Sequence, residues 1–510
     1  MLDQKAWQVT AGSAVLGLAV AAGAIAIAGP WDGGQRTAEK TWAAGQDRTG
    51  SGAHPGAPAP ARAPKPAPSA GPVLTALGGD PDDSGGSDDS GGSGDSDASN
   101  NSGTTADSAH DAGTSGRGSH TGTRAEAGEA PMNLAKTLGP LLGRPALGKV
   151  TAASVVDVES GRQLYGKNAA RPMTPASTVK LATMTAALSA LGPGHRIPTT
   201  VVAGRGDRHI TLVGGGDPSL DAQALGRLAD STARALKAKG VRKVALGYDV
   251  SLYSGPRQHP IGPNDNIAPV VALTLNEGRL DKTTSGPAPR SGDPAGAAAE
   301  EFVRQLRARG ITATKAAAPA KAPKGARRLA VSWSAPVSDL IERALTESDN
   351  DIAEAMARQT ALAEHLPASF AGGAKAVKQR LTKLGMPLAG TVLTDGSGLN
   401  RKDKVTAGLL TSLLTRDGDP DHPELRPVLT GLPVAGFTGT LVDRYTGPGQ
   451  APAEGLIRAK TGTLTGVNTL AGTVVDANGR LLAFAFMADA TASPTEAEQA
   501  LDQASAALLP

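Results

Sequence analysis

The 510-residue chain has room for two or three domains, but its 65 Gly and 37 Pro imply that a long part of it packs into no core. A formal net charge of +3 is too small to support a nucleic-acid binder that works by bulk electrostatics. The absence of cysteine excludes disulfides, zinc–thiolate sites and a cysteine nucleophile, and eight scattered histidines show no paired metal-ligand spacing, so no metal is expected.

The N-terminal stretch Val9 to Ala28 carries no charge and would span roughly 30 Å as a helix, the thickness of a bilayer core. Residues 1–29 are therefore expected to be a membrane anchor or signal segment, with an uncleaved anchor favoured because the apolar run is long for a cleavable signal. Residues 30–131 read as a disordered linker. Its Ala57 to Pro72 portion is Pro-Ala rich, and residues 79–112 hold nine Asp and no Lys or Arg. Such a chain reads either as a spacer expected to hold a folded domain away from the membrane, outside the cytoplasm and within or across a cell wall, or as a tail without a specific role.

Order is expected from Met132, with a helix carrying Leu134, Leu138, Leu141 and Leu142, a strand over Val150 to Val158, and a short strand around Leu164 and Tyr165. Two prolines, Pro172 and Pro175, then lead into Ser177-Thr178-Val179-Lys180 and the Gly- and Pro-free run Leu181 to Leu191, a buried helix. Residues 198–330 alternate strands (Thr199 to Val202, His209 to Val213, Val241 to Gly247) with helices (Asp221 to Gly240, Ala297 to Gly310) and read as an inserted α/β domain. Gly214-Gly215-Gly216-Asp217-Pro218 lacks the Lys-Ser/Thr of a phosphate loop and reads as a tight turn. Ala316 to Arg328 reads as an exposed loop. From 331 the chain gives a helix from Ser334 to Glu347, the connector Ser348-Asp349-Asn350, and a helix from Asp351. The Gly-rich loop Thr394 to Arg401 precedes a helix over Thr406 to Leu414. Three strands follow, Leu456 to Thr463, Thr469 to Val475 and Arg480 to Met487, and then a terminal helix. Elements from 132–197 and 331–510 are expected to form one α/β domain around the insertion.

Three short motifs carry chemistry. Ser177 and Lys180, three residues apart at a helix start, place a hydroxyl beside an amine that can serve as its base. A lysine accepts a proton only when neutral, so its pKa must fall from about 10.4 towards neutrality. Burial and a second cation, Lys460, are the expected causes. Ser348 can relay a proton to a leaving amine, a role Lys180 can also fill, and Asn350 can hold the substrate amide or Lys180 itself. Asp349 is an expected helix cap. Lys460-Thr461-Gly462-Thr463 reads as a strand along which a substrate chain can lie. Gly462 permits close approach, and the N–H groups of Ser177 and Thr463 would form an oxyanion hole. Lys460 with Thr461 or Thr463 suits a carboxylate, so the expected substrate is a peptide with a free C-terminus.

The blocks Thr174-Pro-Ala-Ser-Thr-Val-Lys180, Val213-Gly-Gly-Gly-Asp-Pro-Ser219, Ser348-Asp-Asn350, Asp395-Gly-Ser-Gly-Leu399 and Ala459-Lys-Thr-Gly-Thr463 stand in one order. In them the sequence resembles the class C low-molecular-mass penicillin-binding proteins, the serine D-alanyl-D-alanine carboxypeptidases/endopeptidases. The resemblance implies a serine β-lactamase/transpeptidase-like domain, an antiparallel sheet flanked by helices, with an insertion after the first motif and no metal or other cofactor. It implies removal of terminal D-Ala or cleavage of cross-links in peptidoglycan stem peptides, covalent acylation of Ser177 by β-lactams, and a place for Arg401 near a diaminopimelate side chain. The insertion is shorter than in larger members of that family, which leaves a separate third domain open. Two other readings are a β-lactamase, which needs a glutamate to activate the deacylating water, and a non-catalytic wall-binding scaffold.

Overall fold

The computed structural model describes residues 133–509, apart from Arg205, Ala317, Pro448 and Gly449. The expected membrane segment and linker, 1–29 and 30–131, lie outside the described residues. Among those described, no helix is long and apolar enough to cross a membrane.

In chain order the elements are α1 (Leu134–Leu141), β1 (Val150–Asp157), β2 (Gln163–Lys167), α2 (Lys180–Leu191), β3 (Pro198–Ala203), β4 (His209–Val213), α3 (Ala222–Lys237) and β5 (Lys243–Asp249). Then come α4 (Pro294–Ala308), β6 (Thr312–Lys315), β7 (Arg327–Trp333), α5 (Val337–Thr346), α6 (Asn350–Ala363) and α7 (Phe370–Lys383). The chain ends in α8 (Ala407–Asp417), β8 (Arg458–Leu464), β9 (Val467–Val475), β10 (Leu481–Asp489) and α9 (Pro494–Ala506). Helix α7 has no counterpart in the sequence reading, because its Gly and Lys content blurs the apolar stripe.

One antiparallel sheet has the order β2-β1-β10-β9-β8, so the first strand of the domain pairs directly with its last. Both faces of β10 are covered. Ala483, Ala485 and Met487 face the helical core built on α2, α5, α6 and α8, while Leu482, Phe484 and Phe486 face α1 and α9. An all-apolar strand is what burial on both faces requires. Helix α2 is buried on nearly every side: Leu181, Met184 and Leu188 have no exposure, the buried Thr183 and Thr185 hydroxyls donate to Gly396 O and Asp417, and α6 and α7 pack against it. Strand β8 is the sheet's edge. That leaves one side of Lys460 to Thr463 without a strand partner.

The insertion has its own sheet, order β6-β5-β4-β3-β7, parallel from β4 to β6 and antiparallel through β3 and β7. Helices α3 and α4 make the crossovers and close a core around Leu228, Leu246 and Phe302. Strand β7 runs to Trp333, past the expected boundary at 330, and begins at Arg327, inside the segment expected to be a loop. Pairing with β3, which no local pattern specifies, decides both ends.

The glycine run at 214–216 is not itself the turn, which follows at Pro218 and Ser219. It is where three pieces of backbone meet: a Cβ on Gly214 would strike Ala272 O, one on Gly215 would strike Pro198 O, and one on Gly216 would strike Tyr253 and Gln359. Gln359 Nε2 of α6 donates to Gly215 O at 2.8 Å, tying the insertion to the catalytic helices. Gly215→Ala is expected to destabilise the protein by about 3 kcal/mol, read as a lower denaturant midpoint at unchanged slope.

Candidate active site

Ser177 lies on a 3-10 turn, Ala176–Val179, immediately ahead of α2, not in the first α-helical turn that the sequence suggested. The difference serves the chemistry: at three residues per turn, positions i and i+3 eclipse, and Lys180 Nζ donates to Ser177 Oγ at 2.9 Å. Ala176 holds a left-handed φ of 48°, as does Ser348 at 56°, so strained backbone flanks both hydroxyls. The Ser177 N–H, at the start of its turn, donates to no described residue.

Lys180 joins the motifs. Its amine has no exposure and also donates to Asn350 Oδ1 at 2.7 Å and to Ser397 O at 2.8 Å, so two of its three bonds reach across hundreds of residues of sequence. Asn350 Nδ2 in turn donates to Asn266 O, in the insertion, at 3.0 Å and keeps a second hydrogen for a substrate. Asp349 caps α6 by accepting from Ile352 N at 2.8 Å. Lys460, equally buried, donates to Ser348 Oγ at 2.9 Å and to Thr461 O at 2.8 Å. Because the Ser348 oxygen accepts, its own hydrogen remains available.

Burial lowers the Lys180 pKa to about 8, against the pull of Asp395, Asp349, Glu354 and Asp351, which favour the ammonium. The repulsion between Lys180 and Lys460 is mutual and adds to burial. Lys460 has no such acids around it; burial first, and then the charge of Lys180, push it well below the usual lysine range. Of two like charges, the one without carboxylate neighbours is the one that gives way.

The loop Asp395 to Asn400 that supplies Ser397 O is pinned from beneath. Glu354 Oε1 accepts from the N–H groups of Gly396 and Ser397, at 2.9 and 3.0 Å, and Asp395 accepts from Gly398 N at 2.7 Å and Asn400 N at 2.8 Å. His259, a fully buried residue of the insertion, places Nε2 2.9 Å from Asp395 Oδ2 while its Nδ1 accepts from Ile261 N, which assigns the ring proton to Nε2. Burial works to raise Asp395, but the bonds from His259 and the loop N–H groups outweigh it and hold the carboxyl at about 2. His259, Glu354 and Asp395 lie close enough to suggest a metal site, yet these bonds already occupy their inward-facing atoms.

A cleft of about 340 Å³ opens over these groups. Ser177, Ser348, Asn350, Thr461 and Thr463 line it, as do Thr440, Arg444 and Glu498 from the C-terminal part and Asn266, Arg279 and Arg290 from the insertion. Sequence reasoning missed the last six; none lies in a motif, and only the tertiary fold brings them in. Lys180, Lys460 and Gly462 sit behind its wall. Arg401 does not line it: its Nη2 donates to Thr465 O at 2.8 Å, in the turn after β8. Glu354 and Glu364 lie away from the cleft, the first held under the 396–398 loop and the second against Arg380 and Lys383.

Gly462 lets β8 lie against the nucleophile. A Cβ there would stand 2.7 Å from Pro175 O and 3.1 Å from Ser177 N, and would strike Thr469 Oγ1. Gly462→Ala is expected to slow acylation of Ser177 by about a hundredfold, measured as the rate of covalent labelling by a fluorescent penicillin.

The comparisons with known proteins agree with this geometry. The D-Ala-D-Ala carboxypeptidase 3 (S13) family matches residues 134–292 and 281–508. A carboxypeptidase of Mycobacterium tuberculosis is 38% identical over 68% of this chain and 77% of its own length. The carboxypeptidase DacB of Mycolicibacterium smegmatis is 36% identical over 71% and 81%. Penicillin binding protein 4 of Haemophilus influenzae shares the fold, with a TM-score of 0.61 and 23% identity over 72% of this chain and 98% of its own. With the motifs assembled and the matches spanning both parts of the split domain, the chain belongs to the D-Ala-D-Ala carboxypeptidase 3 (S13) family.

Proposed function

We propose that this protein is a serine D-Ala-D-Ala carboxypeptidase/endopeptidase that cleaves peptidoglycan stem peptides through an acyl-enzyme on Ser177 and is acylated there by β-lactams. The observation that carries it is the Lys180 amine set between Ser177 Oγ, Asn350 Oδ1 and Ser397 O. Neutral Lys180 takes the Ser177 proton as the hydroxyl oxygen attacks the scissile carbonyl carbon. The N–H of Ser177 and that of Thr463, on the strand that Gly462 brings alongside, receive the developing oxyanion. Collapse of the tetrahedral adduct breaks the C–N bond, and the proton that Lys180 took from Ser177 passes to the leaving nitrogen by way of the Ser348 hydroxyl, which Lys460 holds in place. The free hydrogen on Asn350 Nδ2 holds a carbonyl of the bound peptide. Water then attacks the ester and restores Ser177.

The Val9 to Ala28 segment and the long acidic, Gly/Ser-rich linker are proposed to hold the enzyme at the outer face of the cell membrane and let it reach into the wall. A protease-accessibility assay on intact cells, in which the folded domain is cleaved without lysis, tests this.

A fluorescent penicillin is expected to label the full chain, and Ser177→Ala is expected to abolish both the label and D-Ala release from a pentapeptide. Absence of label on the folded wild-type protein would overturn the acyl-enzyme. Because deprotonated Lys180 is the reactive form and its pKa is about 8, the second-order acylation rate is expected to rise about tenfold per pH unit below about 8 and to level off above it.

A further inference from the structure

One wall of the cleft is built by the insertion. There Arg279 and Arg290 stand opposite each other in an antiparallel bridge, which sets their side chains next to each other, and both line the cleft. Each guanidinium is fixed along one edge. Arg279 donates from Nε to Glu277 Oε2 at 3.1 Å and from Nη1 to Thr283 Oγ1 at 3.0 Å and Ser285 O at 3.1 Å. Arg290 donates from Nε to Asp265 O at 3.3 Å and from Nη1 to Glu277 O at 2.7 Å. The two side chains are only 3% and 5% exposed, yet the Nη2 of each donates to no described residue and is not sealed in the interior. Two neighbouring, immobilised N–H edges are therefore left for whatever enters the cleft.

Two like charges held side by side need counter-charge, and the acids behind them supply it in part. Glu277 lies between Arg279 and Arg343, and Asp351 Oδ2 is 2.9 Å from Arg290 Nη1. Burial, and then the charge of Asp349, push both carboxyls up, Glu277 to about 7. Glu347 and Glu498 also line the cleft, but among the described residues neither pairs with these two arginines, and Glu498 faces Arg444 at 3.7 Å. A carboxylate in the cleft would supply the missing charge and accept from both free edges. The same acids fix where that carboxylate sits. Glu277, Asp349 and Asp351 cluster behind Ser348, the hydroxyl through which the proton reaches the leaving nitrogen, so the arginine pair belongs to the leaving-group side of the cleft.

We propose that Arg279 and Arg290 form a subsite for a second carboxylate on the leaving group, separate from the α-carboxylate expected at Lys460 with Thr461 or Thr463. The inference rests on the acyl-enzyme reading above and specifies its substrate class: peptides whose released residue carries a further carboxylate, on its side chain or on a chain attached to it. A cross-link between two stem peptides presents such a leaving group, and a lone D-Ala does not. The subsite adds binding and orientation and no chemical step.

The test uses the full chain and two acyl peptides that differ only in the residue released after D-Ala: D-2-aminoadipate, or the same residue with its side-chain carboxyl as the amide. Both keep a free α-carboxylate. The wild-type kcat/KM is expected to favour the acid by about tenfold, the worth of one charge-assisted hydrogen bond, with the difference in KM. Arg279→Gln should bring the ratio to about one, and Arg290→Gln, which removes the other free edge, should do the same and carries the test if the first variant does not fold. The wild-type ratio decides alone if neither does. A wild-type ratio of one or a preference for the amide, or a ratio unchanged in either folded variant, overturns the proposal while leaving the acyl-enzyme intact. So does a preference that appears only when the extra carboxylate is moved to the residue ahead of D-Ala. Failure of the wild-type protein to cleave both peptides and to take up penicillin overturns the acyl-enzyme reading as well.

Discussion

An ammonium group can be kept in a dry interior only by partners that hold its hydrogens, and it becomes a base only if those partners do not hold them too tightly. Lys180 meets both conditions. Three oxygens, none of them a carboxylate, receive its hydrogens, and four carboxyl groups stand farther off and moderate the effect of burial. The remaining parts of the site exist to keep those oxygens in place: the 3-10 turn for Ser177, the α6 start for Asn350, and the Glu354- and Asp395-pinned loop for Ser397.

The insertion is part of that arrangement and not an appendage. Its residues supply the carbonyl that orients Asn350, the imidazole beneath the Ser397 loop and two of the cleft's arginines. Ala268 N and Arg290 both bind Asp351, next to the second motif, at 3.0 and 2.9 Å. Removing or repacking this segment would therefore alter Lys180 through its partners, without touching Lys180 itself. The same logic explains the strained Asn276 and Glu277, which hold positive φ where the insertion meets Arg343 and the acids behind Ser348. Burial, and then the charge of Asp349, push the Glu277 carboxyl up to about 7.

Charges around the cleft are held in small networks: Glu277 lies between Arg279 and Arg343, and Arg444 faces both Asp502 and Glu498. The hydroxyls beside them are directed as well, Thr463 Oγ1 donating to Glu498 Oε1 at 3.0 Å and Thr461 Oγ1 to Thr440 Oγ1 at 2.8 Å. Edge strand β8 adds the backbone groups along which an extended peptide can align.

Much of this was legible in the sequence. The nucleophile and its lysine, the cap at Asp349, the strand His209–Val213 and the helix from Lys180 follow from spacing, composition and local propensity, because each is decided by residues within a few positions of one another. The partners were not legible. That β1 pairs with β10, that His259 lies under the Asp395 loop and that Glu498 takes the Thr463 hydrogen depend on contacts between distant segments. Nor was the balance between the two buried lysines, which depends on which one the carboxylates surround. By itself the sequence determined which groups are candidates for the chemistry and the order in which they are strung, since reactivity belongs to residue types at short spacing. Only the tertiary structure decided which of them are charged, oriented and open to a substrate, because burial and hydrogen-bond direction are properties of the packed whole.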